Sequence, residues 1–291
     1  MRLRGDVLKQ IRRKRGLSQT ALAEGICTQA TISLMEKQNR LPKMDILTAI
    51  CERLNISSDR IVENEVSGIN ETFNQIVDNL ISRNFEDASA LLKKVHVKNL
   101  ESDFDKQRYY YLVGMVQVES NQIDEAIFNF ELVLTQFATT SANIYLAMTT
   151  AGMALAYLKR GDKERAARLT NRSVKLIDNK KLIGSLYQWA SIDCQIAELY
   201  LQLEDPDNAI EVANKGIELC REHDSLFLLD ELYLYIGRSY ILKNDKEEAK
   251  KALKIAESLS IARNGSVAEH TILLELKNLE IQLIYVTEKR S

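Results

Sequence analysis

Proline occurs only twice and glycine eleven times in 291 residues. So few breakers exclude a chain of many short strands and tight turns, and leave room for long helices. Histidine is scarce too: His96, His223 and His270 fall in separate segments. No nucleophile elbow, paired metal motif or glycine-rich phosphate loop appears, which argues against an enzyme. The four cysteines, Cys27, Cys51, Cys194 and Cys220, are scattered over apolar helical faces and read as buried free thiols in a reducing compartment. Cys220 and His223 make one C-x-x-H without a second ligand pair, so neither a metal nor a cofactor is expected. A secretory apolar segment is missing, as is any apolar run long enough for a bilayer, and the chain is expected to be cytoplasmic with no membrane partner.

What is present is a core and an uneven charge. A hydrophobic content of 45% suffices for two domains. Residues 1–43 hold ten Lys/Arg against three Asp/Glu, a net of +7, which leaves −9 for the rest of a chain whose net charge is −2. A basic head on an acidic body is an electrostatic footprint for nucleic acid confined to one end.

Within that head, Leu17–Arg40 reads as two short helices across a tight turn. Ser18 and Thr28 are suited to cap them, since their hydroxyls accept orphan amide protons. Leu22, Ala23 and Ile26, then Ile32 and Met35, point inward. Short polar side chains occupy the start of the second helix, as major-groove readout by a helix-turn-helix requires. Gln29, Thr31 and Ser33 are the candidates for base edges, with Thr28 beside them. Gln19, Arg12, Arg13, Lys37, Arg40 and Lys43 are candidates for phosphates. A preceding helix spans Asp6–Arg15 and stops at Gly16. A fourth covers Met44–Leu54 after Pro42, and a short fifth, capped by Ser57 or Ser58, holds Ile61.

The pattern G-L-S-Q-x-x-L-A-E-x-I followed by T-I-S-x-x-E-x-x-x-R-x-P resembles the Xre/Cro-type helix-turn-helix family over residues 6–62. The variant E-G-I-C-T-Q-A-T-I-S is similar to the peptide-sensing Rgg and PlcR-like regulators of Gram-positive bacteria. Its turn is one residue shorter than the commonest pattern, with Cys27 where glycine often stands, and Leu34 takes a place where a basic residue is frequent.

Behind a hinge read at Val66-Ser67-Gly68 the chain repeats. An alanine follows a short polar turn five times, at Ala88, Ala126, Ala166, Ala209 and Ala249, spaced by 38, 40, 43 and 40 residues. Twelve positions before the last four stand Gly114, Ala154, Ala197 and Gly237, and nine before the last three stand Tyr157, Tyr200 and Tyr240. Antiparallel helices joined by a tight turn approach closely, so small residues recur where they cross. The pattern resembles the tetratricopeptide repeat with a lengthened period. The first repeat is degenerate, with Ile76 and Asn79 at the small and aromatic positions. The expected fold is all-α: a five-helix head, residues 1–65, then residues 66–291 as a right-handed superhelix of about five helix pairs with a closing helix from Ser266 to Lys289. The apolar surplus of that last helix, Leu273 and Leu274 included, reads equally as core or as a dimer surface.

The resemblance implies a homodimer that binds double-stranded DNA at a palindromic operator and takes a short signalling peptide on the concave face. Carried onto this sequence, the inner positions are Tyr111, Met115, Ala151, Leu155, Cys194, Glu198, Leu234 and Arg238, with Arg108, Ser191 and Glu231 one turn earlier and Gln188, Gln195 and Tyr235 nearby. Apolar patches mixed with amide and charged groups suit a peptide. An alternative keeps the DNA-binding head and gives the repeats a protein partner.

Overall fold

Helices make up almost every element of the computed structural model, which describes residues 2–54, 56, 61–63, 65–100, 102–137, 144–178, 182–263 and 266–288. The chain divides into two compact units, Met1–Gln75 and Ile76–Ser291.

In the first unit, α1 (Gly5–Lys14), α2 (Gln19–Ala23), α3 (Gln29–Gln38) and α4 (Met44–Leu54) enclose one core that includes Leu8, Leu22, Ile32, Met35, Leu47, Ile50 and Leu54. Ser18 caps α2 by accepting the Ala21 amide at 3.0 Å, and Thr28 caps α3 by accepting that of Thr31 at 3.2 Å. Gly25 leaves α2 with φ +70°, a left-handed conformation that glycine adopts without strain. Arg53 of α4 donates to the carbonyls of Leu22 and Glu24, closing the end of α2. Gly5 cannot carry a side chain, because a Cβ there would lie 2.1 Å from the Met35 carbonyl, so α1 is locked against the end of α3. The start of the expected fifth helix lies outside the described residues. Ile61 is buried as expected, but it is followed by a strand: β1 (Arg2–Leu3) pairs antiparallel with β2 (Val62–Glu63), which satisfies backbone groups at both ends of the unit.

The long helix α5 (Glu65–Ile81) carries the chain onward, and Val66, Ser67 and Gly68 are part of it, so the segment read as a hinge is helical. Next come α6 (Phe85–Lys94), a 3-10 turn at Val97–Asn99, and four clear pairs. These are α7 (Asp103–Glu119) with α8 (Ile123–Thr135), α9 (Tyr145–Lys159) with α10 (Lys163–Ile177), α11 (Leu186–Gln202) with α12 (Pro206–Glu222), and α13 (Leu229–Leu242) with α14 (Lys246–Arg263). The chain closes with α15 (Glu269–Glu288), packed on α14. The first helices touch in succession, α7 on α9, α9 on α11 and α11 on α13, and each second helix also meets the next first helix. That is the stacking of a helical solenoid. Among the described residues no helix is long and apolar enough to cross a membrane.

The repeat marker has a physical basis in the turn. All five marker alanines are fully buried. Five residues before each sits a left-handed residue: Arg83, Asn121, Gly161, Glu204 and Asn244. The amide of the following residue reaches back five positions, as in Asp162 to Tyr157, Asp205 to Tyr200 and Asp245 to Tyr240, at 2.9 Å each. This is the hydrogen bond that ends a helix through a left-handed residue. Asp162, Asp205 and Asp245 then accept the first amides of the next helix. The carbonyls of the three patterned tyrosines therefore each close a turn.

Volumes match at the crossings. A Cβ on Gly114 would fall 2.4 Å from the Phe130 ring, and one on Gly237 would fall 2.7 Å from Leu253. The equivalent partners of Ala154 and Ala197 are Thr170 and Ala213, both small and fully buried. Phe130 also faces Gly152 of α9, whose Cβ would come within 2.8 Å of its ring. Along α15, Ile272, Leu276 and Leu279 face the core while Leu273 and Leu274 are exposed.

Candidate functional site

The exposed face of α3 is built from inside. Arg12 is buried, and its guanidinium makes a two-point pair with Glu36, with Nη2 2.9 Å from Oε2, while Nη1 donates to the Leu17 carbonyl at 2.7 Å. Burial pushes the Glu36 carboxyl up, but hydrogen bonds from Arg12 and Gln19 outweigh it and hold the group below its usual range. Gln19 Nε2 donates to Glu36 Oε2 at 2.8 Å, and Gln29 Nε2 donates to Gln19 Oε1 at 2.6 Å. A relay thus runs from a core ion pair to the first residue of α3, leaving one N–H and the carbonyl oxygen of Gln29 for a ligand.

One expected phosphate contact, Arg12, is corrected by this geometry. Arg12 is a core residue, and Gln19 is half-buried in the relay. Thr31 pairs its hydroxyl with that of Thr28, 2.9 Å away. Thr28 is exposed and acts as the cap. Gln29, Ser33 and Lys37, spaced by four, share one stripe of α3. Ala30 is exposed beside Gln29. Arg13, Arg40 and Lys43 are exposed as expected, and so are Lys9, Lys14 and Arg15.

In the second unit the inner candidates separate into two groups. Toward the starts of the helices, the rings of Tyr111 and Tyr145 lie 5.6 Å apart. Burial pushes the Tyr145 phenol up, against the nearby charge of Arg108 and a hydrogen bond with Gln188. Gln188 also completes a capping box with Ser185, while Ser191 is half-buried a turn later. Tyr145 was not among the expected inner residues.

Toward the centre, α9 is buried on all sides from Ala147 to Ala156. Above it Gln195 Nε2 approaches Met115 Sδ at 3.7 Å, so α7 and α11 meet across the helix between them. Glu198 accepts from Gln202 at 3.0 Å, and Cys194 Sγ lies 4.0 Å from Glu231 Oε2. Burial pushes both carboxyls up, Glu231 to about 7; the like charge of Asp230 adds to burial at Glu231 and that of Glu119 at Glu198, and Arg83 is the first cation to oppose the rise in both. Tyr235 is buried beside them. Arg238 does not stay with this group, since its Nε donates to Glu275 of α15 at 3.1 Å. Among the described residues no group of three or more His, Cys, Asp or Glu could hold a metal ion.

Residues 8–61 match the helix-turn-helix family, and residues 194–223 and 231–256 match tetratricopeptide repeats. No curated protein matches the sequence. Bacillus thuringiensis PlcR, solved with the peptide PapR7 and DNA, superposes with a TM-score of 0.65 at 18% identity over 94% of this chain and 99% of its own. ComR from S. thermophilus, solved with DNA and its signalling peptide ComS, gives 0.57 at 16% over 95% and 99%. The Streptococcus dysgalactiae SHP pheromone receptor Rgg2 gives 0.52 at 13% over 94% and 98%. The chain therefore has, over nearly its whole length, the fold of a helix-turn-helix head followed by tetratricopeptide-type helix pairs.

Proposed function

We propose that this chain is a DNA-binding transcriptional regulator controlled by a short signalling peptide, held on the inner layer α7, α9, α11 and α13. The observation that carries the reading is the pairing in one chain of two surfaces. One is the Gln29, Ser33, Lys37 stripe, stiffened from the core and flanked by exposed Arg13, Arg40 and Lys43. The other is a solenoid whose inner helices offer apolar and polar groups side by side. PlcR and ComR, each solved with DNA and a peptide, have this order of parts. The reading places the protein in the cytoplasm, as a homodimer without catalytic activity. One small head reads only a few base pairs, and two held about one DNA turn apart read a palindrome.

The test is mobility shift of the DNA upstream of its own gene, with and without synthetic heptapeptides from the C-termini of neighbouring small secreted reading frames. A specific, salt-sensitive complex is expected, whose affinity one peptide changes by about fivefold or more. Unchanged operator affinity at saturation with every such peptide would overturn the reading. The protein-partner alternative draws on a different edge, where Ile183, Tyr187 and Leu226 are exposed and Tyr187 meets Phe227 edge-on at 4.9 Å.

A further inference from the structure

Glu198 and Glu231 stand on consecutive first helices, α11 and α13, and neither forms an ion pair among the described residues. Their polar surroundings add to the tension. Cys194 lies between them, and the paired Asp230 and the Glu119 carboxylate add further negative charge. The exposed Arg83 offers partial compensation at a distance. Tyr235, one turn after Glu231, is only 5% exposed, and its phenol feels Glu198, Cys194 and Glu231. Among the described residues that hydroxyl has no hydrogen-bond partner. The ring is enclosed while the hydroxyl, one turn from Glu231, is left to whatever enters beside the two carboxyls.

An ammonium group carries three N–H donors and no acceptor. Two carboxylates and one phenolic oxygen are three acceptors, placed on the layer where the peptide is proposed to lie. We infer that Glu198, Glu231 and Tyr235 form a subsite for a cationic nitrogen of the bound peptide, supplied by its N-terminus or by a lysine side chain. The inference rests on the peptide reading above and adds the charge of the ligand to it. Binding replaces repulsion between the two carboxylates with charge-assisted hydrogen bonds to a shared cation.

The test uses the full chain and three synthetic heptapeptide pools, randomised over Leu, Val, Phe and Gly, with lysine, glutamine or glutamate at the central position. Each pool is made with a free and an acetylated N-terminus, and bound peptide is measured by equilibrium dialysis. The wild-type chain is expected to retain about tenfold more of the cationic forms than of the neutral ones. A preference for lysine pools assigns the side chain as the source, and a preference for free over acetylated pools assigns the N-terminus. The variants E198Q and E231Q should lose that preference while still retaining the neutral pool, which reports an intact groove. Tyr235→Phe keeps the ring and should weaken the preference severalfold. Equal retention of all charges by the wild type, or a preference that survives in E198Q/E231Q, overturns the subsite and leaves the peptide reading standing. Retention of no pool at all overturns both.

Discussion

Arg12 and Glu36, 24 positions apart, join α1 to α3 through two parallel hydrogen bonds beneath the surface of the head. A basic residue in a run of four, Arg12 to Arg15, thus serves the fold while its neighbours remain exposed. Removing one partner of a buried pair strands the other charge. Arg12→Ala is expected to destabilise the head by about 3–5 kcal/mol, and Arg12→Met combined with Glu36→Leu by much less. Urea unfolding followed by circular dichroism measures both. Arg13→Ala should leave stability unchanged and weaken binding to every DNA sequence alike, with a salt slope shallower by about one.

The relay beyond that pair predicts loss of discrimination from a residue that does not itself touch a base. Gln29→Ala is expected to relax preference at one base pair by about 1–3 kcal/mol. Gln19→Ala, which frees Gln29 to rotate, should relax the same position by a smaller amount. Competition binding with operators substituted at each position checks whether the two variants act at one place.

Two glycines separate steric from conformational effects. Gly114→Ala drives a methyl into the Phe130 ring and should destabilise the repeat unit by about 1–3 kcal/mol, with Phe130→Leu restoring part of the loss. Gly161 has open space around it but φ +89°, so Gly161→Ala should lose about 1–2 kcal/mol from backbone strain, with no rescue by any neighbour. Thermal unfolding of the single and double variants distinguishes the two.

Acid should stabilise the peptide-free chain. Asp193, raised to about 7 by burial against the opposing charge of Lys215, and Glu231, also about 7, keep their protons in the folded state well above the unfolded carboxyl range near 4. The folded chain therefore binds more protons across that interval, and stability declines as pH rises from about 4 to 7. Asp193→Asn with Glu231→Gln should flatten the decline, matching wild type near pH 4 and exceeding it at pH 8. Calorimetric melting across that range measures the difference.

Local chemistry made most of the fold readable before any coordinates. Ser18 and Thr28 mark helix starts because a hydroxyl satisfies amides three residues on, and the marker alanines repeat because each turn needs a small residue in the same place. What was not readable depended on distant partners. Nothing beside Arg12 announces Glu36. Ile61 read as helix because the strand that follows it, Val62–Glu63, finds its partner, Arg2–Leu3, at the other end of the unit. Left-handed turns at Arg83, Asn121, Glu204 and Asn244 escaped notice because only the turn at Gly161 uses the residue that advertises them. In the groove, Arg238 was placed by repeat arithmetic alone, which does not know that α15 brings Glu275 to it.

The volumes matched at the helix crossings also order the history of the repeats. Phenylalanine at the place of Phe130 fits only over a glycine, and leucine at that of Leu253 likewise, whereas Ala154 and Ala197 stand at positions whose equivalents, Thr170 and Ala213, are small. A lineage moving from the small pair to the bulky one has a passable route in one order only: alanine shrinks to glycine first, leaving a small void, and the bulky side chain enters afterwards. The reverse order passes through a clash. Exchanging whole repeats would keep each crossing pair together, although the Phe130 ring would still need a glycine at the place of Gly152 in the repeat that follows. Exchanging single helices between repeats would join a glycine to a small partner or an alanine to a ring, so the helix pair, and not the helix, is the unit by which such a chain can grow.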